Sequence, residues 1–269
     1  MSGATTSVVN GYFRVLAEGN SGGRYSAAAD TGGPWTPQMQ HGGPPNALLV
    51  RAAERLAADV AGRSDLVAMR LAAEFVGPVP VDEVEVAATV VRQARTAVLV
   101  DATLSAADRV CLRSRVWLVR DLDTAAVAPA LAPAADPPRG LPGIGADFPY
   151  GRSIEWQAES GSLGTPGPGI VWGRPTLPVV AGEELSGLQR VALVGDSASG
   201  VSAELDWNTW SFLNVDLDVH LSRPVEGEWV LLDARTSLGA HGAAMARSTV
   251  SDLRGEVGCT AQTLILSPR

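Results

Sequence analysis

The sequence predicts an α+β fold built from two copies of one unit, in which an antiparallel sheet wraps around a central helix. Three observations predict it. A helix-like segment followed by strand-like segments occurs twice, a proline-rich connector separates the two occurrences, and apolar positions repeat at a fixed spacing. The predicted boundaries are 1–121 for the first unit, 122–150 for a Pro/Ala-rich linker and 151–269 for the second unit.

The first unit begins with a predicted helix over 42–62, GGPPNALLVRAAERLAADVAG. Pro44 and Pro45 fall where a first turn tolerates proline, and the run that follows is apolar on most faces. Such a helix must be wrapped by other elements. Three strand-like segments follow, VDEVEVAATVVRQ, RTAVLVDATLSA and RVCLRSRVWLVR, in which β-branched and apolar residues dominate.

The second unit repeats that order. A helix is predicted within GEELSGLQRVALVGDSASG, where Glu183 and Glu184 suit the positive end of the helix dipole. The strand-like segments are LNVDLDVHLSRP, EWVLLDARTSL and AAMARSTVSDLRGEVGCTAQTLIL, and the last contains a hairpin turn at Asp252 to Gly255.

The two units align at an offset of 146 residues, the distance from Pro78 to Pro224. That offset aligns Leu71 with Leu217, Phe75 with Leu221, Val79 with Val225 and Val84 with Val230. One extra residue is expected in the last hairpin of the second unit. It would change the offset to 147 and align Val110 with Val257.

Composition excludes several classes of function. The formal charge is −8 and every basic residue is Arg, without a basic cluster, so a nucleic-acid partner is not expected. The two cysteines are too few and too isolated for a zinc site. The N-terminus shows no signal peptide and no apolar stretch of membrane-spanning length, so we expect a cytoplasmic protein. P-loop, dinucleotide-binding and GxSxG patterns are absent from the sequence, and no cofactor is implied.

Matched positions of the two units diverge in chemistry on three strands. Asp216 stands opposite Arg70, Thr236 and Ser237 stand opposite Val90 and Val91, and at offset 147 Gln262 stands opposite Arg115. A repeated fold needs the same apolar pattern in both units. A carboxylate, a hydroxyl and a carboxamide confined to the second unit therefore indicate a functional site there.

The segments GEWVLLDARTSLG, VDLDVHLSRP and VGCTAQTLIL resemble the C-terminal half of acyl-CoA thioesterase II-type enzymes, and QHGGPPNALLVRAAERL resembles their N-terminal helix. The resemblance covers most of the chain. It implies a double hotdog fold, that is, an internal pseudo-dimer whose two sheets join edge to edge, and hydrolysis of acyl-CoA to a free acid and CoA. It also implies that Asp216, Thr236 or Ser237, and Gln262 bind and activate water.

The chemistry of thioester hydrolysis adds a second set of residues. Free N–H groups at a helix N-terminus could stabilise the developing oxyanion. His41, Gly42 and Gly43 precede the first helix, the glycines permit close approach of a substrate, and Asn46 follows in its first turn. These four residues are therefore expected to bind substrate. The account requires Asp216 and Gln262 to lie together in a cleft between the two units.

Other interpretations of these residues remain open. Asp216, Asp218 and His220 share one strand face, which could be solvated or could ligate a metal, although no further His or Cys completes such a site. His41 could cap the helix or pack against Trp35, and Gln262 could lie at a subunit contact.

Asp196, in GDSASG, is interpreted as a helix-terminating loop residue. Two other functions also stay open: a hotdog hydratase or dehydratase, which needs an Asp–His pair, and a non-catalytic acyl-CoA sensor. Association into homo-oligomers is compatible with the sequence but not required by it.

Overall fold

A computed structural model describes residues 11–62 and 64–269. The first ten residues, on which the expectation of no signal peptide partly rests, lie outside that description. In the described ranges no helix combines the length and apolar character needed to cross a bilayer.

The described residues form thirteen strands and four α-helices. The first half contains β1 (Phe13–Gly19), β2 (Gly22–Ala27), α1 (Gly43–Ala61), β3 (Leu66–Phe75), β4 (Glu83–Gln93), β5 (Ala97–Ala106) and β6 (Arg109–Arg120). The second half contains α2 (Pro149–Arg152), β7 (Ile154–Ser162), β8 (Thr165–Pro175), α3 (Gly187–Gly195), α4 (Ala198–Val201), β9 (Trp210–Asn214), β10 (Asp216–Leu221), β11 (Val230–Leu238), β12 (Ala243–Asp252) and β13 (Gly255–Pro268).

All thirteen strands belong to one antiparallel sheet. Its order is β1-β2-β4-β5-β6-β3-β10-β13-β12-β11-β8-β7, and β9 pairs with β13 beside β10. The first six strands come from the first half and the rest from the second, so the halves meet where β3 pairs with β10. The predicted edge-to-edge joining of two helix-wrapped sheets is confirmed, and it leaves neither β3 nor β10 as an open edge.

A pseudo-twofold axis relates the two halves. In the β3–β10 pair Ala72 lies opposite Asp218, two residues that are 146 apart. Leu71 pairs with Val219, and its equivalent Leu217 pairs with Ala73. The central strands therefore follow the predicted offset of 146.

The expected change of offset to 147 is wrong. In the first half Ala72 pairs with Arg115, and in the second half its equivalent Asp218 pairs with Ala261, which keeps the difference at 146. The two terminal hairpins also have equal lengths, since one closes from residue 106 to 109 and the other from 252 to 255. Gln262 is consequently equivalent to Val116 and not to Arg115.

The two central helices differ. Helix α1 runs unbroken for 19 residues, starts with two prolines and ends at Gly62, whose φ of 60° is the left-handed conformation that glycine favours. The second helix, predicted through 182–200, instead starts after Ser186, whose hydroxyl accepts from the Gln189 amide at 3.2 Å. Glu183 and Glu184 lie outside it, and the helix breaks at Asp196 before α4 begins.

Two hairpins were not predicted. Strands β1 and β2 precede α1, and β7 and β8 precede α3. With β3 in the first half and β9 in the second, each half has three strands more than the segments predicted from its sequence. The sequences of the hairpins, such as TPGPGIVWGRP in β8, carry glycine and proline that weaken a strand pattern.

The connector between the halves, residues 121–148, contains no helix or strand, and most of its side chains are exposed. It lies along the second half, where the Ala158 amide donates to Pro142 O and the Leu163 amide to Ile144 O. Ile144 is buried, which brings the end of the connector into the interior. The predicted limits of the linker, 122–150, stay a prediction.

Candidate active site

A buried carboxylate, Asp196, lies where the second central helix breaks. Asp196 is the C-terminal cap of α3, is 4% exposed, and is followed by Ser197 and then α4. Aspartate and serine favour local hydrogen bonds over a helix interior, which explains the break. A carboxylate at this position faces the negative end of the α3 dipole, so it needs other groups to stabilise its charge.

Three side chains from three different segments supply that stabilisation. His41 Nδ1, just before α1, lies 2.9 Å from Asp196 Oδ2. Asn214 Nδ2, at the end of β9, donates to Oδ1 at 2.8 Å, and Gln262 Nε2, on β13, donates to the same oxygen at 3.3 Å. The contact with His41 joins the two halves, because Asp196, Asn214 and Gln262 all belong to the second.

The orientation of Gln262 is fixed at both ends of its carboxamide. Its Nε2 also donates to the Asp196 main-chain oxygen at 3.2 Å, and its Oε1 accepts from the Ser199 amide at 3.2 Å. Gln262 is 1% exposed. A carboxamide with both ends bonded has one rotamer and one flip state, so it holds the Asp196 carboxylate rigidly.

His41 is held between aromatic rings. Its ring stacks on Tyr150 with centroids 4.2 Å apart and planes inclined by 16°, and Trp35 and Phe148 flank it at 6.2 Å. The Tyr150 hydroxyl donates to the Leu193 main-chain oxygen of α3. The histidine is thus anchored to the helix that carries Asp196.

Gly42 and Gly43 permit the close contact between the helices. A Cβ added to Gly42 would lie 2.7 Å from Asp196 Oδ2 and 2.5 Å from the Phe75 ring. A Cβ on Gly43 would lie 2.7 Å from Leu193 O. The glycines therefore bring the start of α1 against Asp196. The expected approach of substrate to their backbone stays a prediction.

A pocket of about 460 Å³ opens above these groups, between the two halves. His41, Asp196 and Asn214 line it together with Ser197, Ser199 and the connector residues 144–148. Five aromatic side chains also line it. A pocket that combines aromatic walls with converging polar groups is typical of a small-molecule site.

Asp216 does not lie with Gln262. Its carboxylate accepts from the Thr263 amide and, at 3.2 Å, from the Thr263 hydroxyl. Thr263 follows Gln262 on β13, and successive strand residues point to opposite faces of a sheet. Asp216 is therefore on the outer face, where it completes the ladder between β10 and β13, and the predicted convergence of Asp216 with Gln262 is not observed.

The predicted hydroxyl residues and Asn46 also lie apart from Asp196. Thr236 shares the inner face with Gln262, two strands away, and its hydroxyl bonds to that of Ser202 at 2.9 Å. Ser237 is exposed on the other face. Asn46 is fully buried in the first turn of α1 and donates to Gly42 O at 3.0 Å, so it does not reach the pocket.

Asp196 and Asn214 are the site residues that the sequence prediction missed. The interpretation of Asp196 as a loop residue describes its backbone correctly but not its side chain. The offset of 146 already places Asn214 opposite Ala68, a buried residue, but that pair was not compared. A polar residue opposite a core residue is the signal to look for.

The sequence also leaves open a metal-binding arrangement of Asp216, Asp218 and His220. Asp218 lies 3.6 Å from Arg70, and His220 is exposed. Within 11–62 and 64–269, no three His, Cys, Asp or Glu side chains are grouped to hold a metal ion.

Family models match nearly all of the described chain. The acyl-CoA thioesterase N-terminal domain matches residues 31–119, and the acyl-CoA thioesterase C-terminal domain matches residues 125–266. The chain belongs to the acyl-CoA thioesterase family. That membership makes it a thioester hydrolase and confirms the family expected from the sequence. Among curated proteins, no match to this thioesterase is found.

Solved structures show the same fold. A tesB protein from Mycobacterium avium subspecies paratuberculosis is 18% identical, with a TM-score of 0.68 over 95% of this chain and 96% of that one. An acyl-CoA thioesterase II, TesB2, from Mycobacterium marinum is 15% identical, with a TM-score of 0.69 over 95% of both chains. A proposed thioesterase from Novosphingobium aromaticivorans is 20% identical, with a TM-score of 0.72 over 94% and 98%. The double hotdog prediction is confirmed.

Proposed function

We propose that Asp196 activates the water that this thioesterase adds to an acyl-CoA thioester. The observation that carries the proposal is the buried Asp196 carboxylate, held by His41, Asn214 and Gln262 at the base of the pocket. A buried carboxylate without a cationic Arg or Lys partner is costly to the fold. Its retention beside a pocket therefore favours a role in chemistry.

The hydrogen bonds of Asp196 indicate where the water would bind. A carboxylate oxygen offers two lone pairs. Asn214 and Gln262 occupy those of Oδ1, whereas the polar contact of Oδ2 within the described residues is His41 Nδ1, at 2.9 Å. One lone pair of Oδ2 thus stays available for a water O–H, next to Gly42.

The reaction then follows from this position. The water oxygen attacks the thioester carbonyl carbon while its proton passes to Asp196 Oδ2. The carbonyl oxygen gains negative charge, which the positive N-terminal end of α1 at Gly42 and Gly43 would stabilise. The C–S bond breaks, the proton on Asp196 passes to the departing thiolate, and a carboxylic acid and CoA are released.

One second candidate has a specific observation in its favour. Hydration of an enoyl thioester requires an Asp–His pair, and the contact between His41 and Asp196 provides one. Asp216 and His220 are too far apart along their strand to form such a pair. The same pocket could bind either substrate. Hydration consumes the carbon–carbon double bond and leaves the thioester intact, so the two reactions give different products.

Thiol release from a panel of acyl-CoAs tests the proposal. Wild-type protein should release CoA, and Asp196→Asn should lower kcat by about 10³-fold, because it removes the base while keeping the shape. Asp218→Asn, on the outer face, is the matched control and should retain activity within about twofold. Full activity in Asp196→Asn would contradict the proposal. Loss of enoyl absorbance without thiol release would indicate the hydratase, and tight binding without any reaction a sensor.

A further inference from the structure

We propose that the pocket beside Asp196 selects an acyl group that carries an aromatic ring over a straight alkyl chain. The inference rests on the hydrolytic role proposed above and names the substrate class of the same pocket. Wall chemistry, ring geometry and size support it independently.

Aromatic rings are the largest group among the apolar side chains that line the pocket. Of the 14 aromatic residues among Phe, Trp and Tyr in the chain, five line this pocket. They are Trp35, Phe148, Trp156, Trp207 and Phe212. The branched aliphatic residues of the lining are only Ile144 and Leu163. Aliphatic walls would bind a flexible alkyl chain as tightly as aromatic walls do. An alkyl substrate therefore does not explain why five rings line the pocket.

The rings are arranged to contact another ring. Trp207 and Phe212 form a tilted pair with centroids 4.3 Å apart and planes inclined by 54°, and Trp35 stacks at 18° to His41 on another wall. Aromatic rings favour offset-stacked and edge-to-face contacts with one another, a directional attraction that adds to area burial. A methylene chain gains free energy from burial in the pocket but not from these directional ring contacts.

The walls are also fixed in place. The Trp156 indole donates to Gly151 O at 3.0 Å, and Ile144 O accepts from the Leu163 amide at 2.9 Å, which ties the connector to the β7–β8 hairpin. Phe148 belongs to the same end of the connector. A rigid aromatic wall complements a rigid ring better than a chain with many rotamers, because the ring loses less conformational entropy on binding.

The size of the pocket limits what it can hold. A cavity of about 150 Å³ accommodates benzene, and a heavy atom takes up roughly 30 Å³ if it is compared with a water in the liquid. The pocket of about 460 Å³ therefore has room for one ring, the thioester and the near end of the CoA arm. By the same measure a palmitoyl group, with 17 heavy atoms, would need about 510 Å³, which is more than the pocket offers even without the CoA arm.

Phenylacetyl-CoA and octanoyl-CoA give a matched comparison, because their acyl groups contain the same number of carbon and oxygen atoms. We expect kcat/KM for phenylacetyl-CoA to exceed that for octanoyl-CoA by about tenfold, from one or two ring contacts. Phe212→Leu and Trp207→Leu should each lower this ratio by about threefold or more. Trp172→Leu, which removes an indole that bonds to Glu159 outside the pocket, is the control and should leave the ratio unchanged.

A second measurement separates this inference from the hydrolytic proposal. Calorimetric binding of both acyl-CoAs to Asp196→Asn reports the preference without catalysis, and phenylacetyl-CoA should bind more tightly. Equal or reversed preference in both rate and binding would overturn the aromatic assignment even if hydrolysis is confirmed. If Asp196→Asn is fully active, the hydrolytic proposal fails while the wild-type rate ratio still decides the substrate class. Melting temperatures within a few degrees of wild type would show that a variant's changed ratio does not reflect unfolding.

Discussion

The pseudo-twofold axis relates the strands beside the Asp196 pocket to strands of the first half that have the same pairing and different chemistry. At the offset of 146 that these strands follow, the second half carries Asn214 and Gln262 where the first carries Ala68 and Val116. Ala68, Val116 and Gln262 are buried, and Asn214 is partly exposed. The fold is therefore satisfied by small and branched apolar residues at these positions. The polar set is an addition that the architecture does not need, which favours a chemical role.

The first central helix carries a buried charge of its own, which ion pairs neutralise. Arg51, on α1, is buried and bonds to Glu183 of the second half at 2.5 Å and to Glu18 of the first. Burial alone would raise the pKa of Glu18, but hydrogen bonds from Arg51 and Tyr25 hold it below its usual value. The buried charge beside the second central helix, Asp196, therefore lines a pocket, whereas the buried charge on the first, Arg51, is neutralised by two carboxylates.

Replacing Gln262 by valine, the residue at the equivalent position of the first half, should lower kcat more than the two changes on α1 below. Gln262→Val removes one of the two side-chain amides that donate to Asp196 Oδ1 and leaves the Ser199 amide without its acceptor. We expect kcat to fall by about 10²-fold in steady-state thiol release, because a misoriented base is a poor one. Thr263→Val, one residue along the strand on the outer face, is the control. Equal activity of the two variants would show that the polar set is dispensable.

Removing the Arg51 ion pairs should lower the stability of the fold and leave kcat nearly unchanged. Arg51→Met leaves Glu18 and Glu183 without their shared cation, so the free energy of unfolding should fall by about 2–4 kcal/mol in denaturant titrations. The folded variant should retain kcat within about threefold, since Arg51 does not line the pocket. A large loss of kcat in fully folded protein would mean that the two regions are coupled.

A smaller, pH-dependent effect belongs to Glu54, next to Arg51 on α1. Burial raises the pKa of Glu54 to about 7. Hydrogen bonds from Ser186 and Gln189 lower this pKa, but by less than burial raises it. The folded state therefore binds this proton more tightly than the unfolded chain, whose carboxyl has a pKa of 4.5. Stability from this group is complete below pH 4.5 and is lost as pH rises through about 7.

Glu54→Gln should remove that dependence. We expect the free energy of unfolding of wild type, relative to Glu54→Gln, to fall by about 1–3 kcal/mol between pH 5 and pH 8. The exposed Glu85→Gln is the control and should track wild type. Parallel pH profiles for wild type and Glu54→Gln would contradict the assigned protonation.

The sequence predicts the fold well because periodicity survives in its strongest elements. The unbroken helix α1, the meander β4–β6 and the hairpin at Asp252 are all recognisable from apolar spacing and turn residues. The hairpins β1–β2 and β7–β8 are not, since glycine and proline interrupt their pattern. The second helix is misjudged because Asp196 breaks it, and that break is the centre of the site.

The site itself is predicted only in part. His41 and Gln262 do lie beside one carboxylate, but Asp216 is on the opposite face of the sheet. Asp216 was selected because it differs from Arg70 and because the resemblance implies its role, and neither observation reports which face of the sheet it occupies. Which face a strand residue occupies is set by register, and one residue of misalignment reverses it.

Thiol release by Asp196→Asn and Asp216→Asn, measured side by side on the same acyl-CoA, tests the central claim most directly. Both variants remove one carboxylate charge from the same half and keep the side-chain volume. The account predicts a loss of about 10³-fold for Asp196→Asn and less than about twofold for Asp216→Asn. The reverse pattern, with Asp216→Asn inactive and Asp196→Asn active, would contradict it.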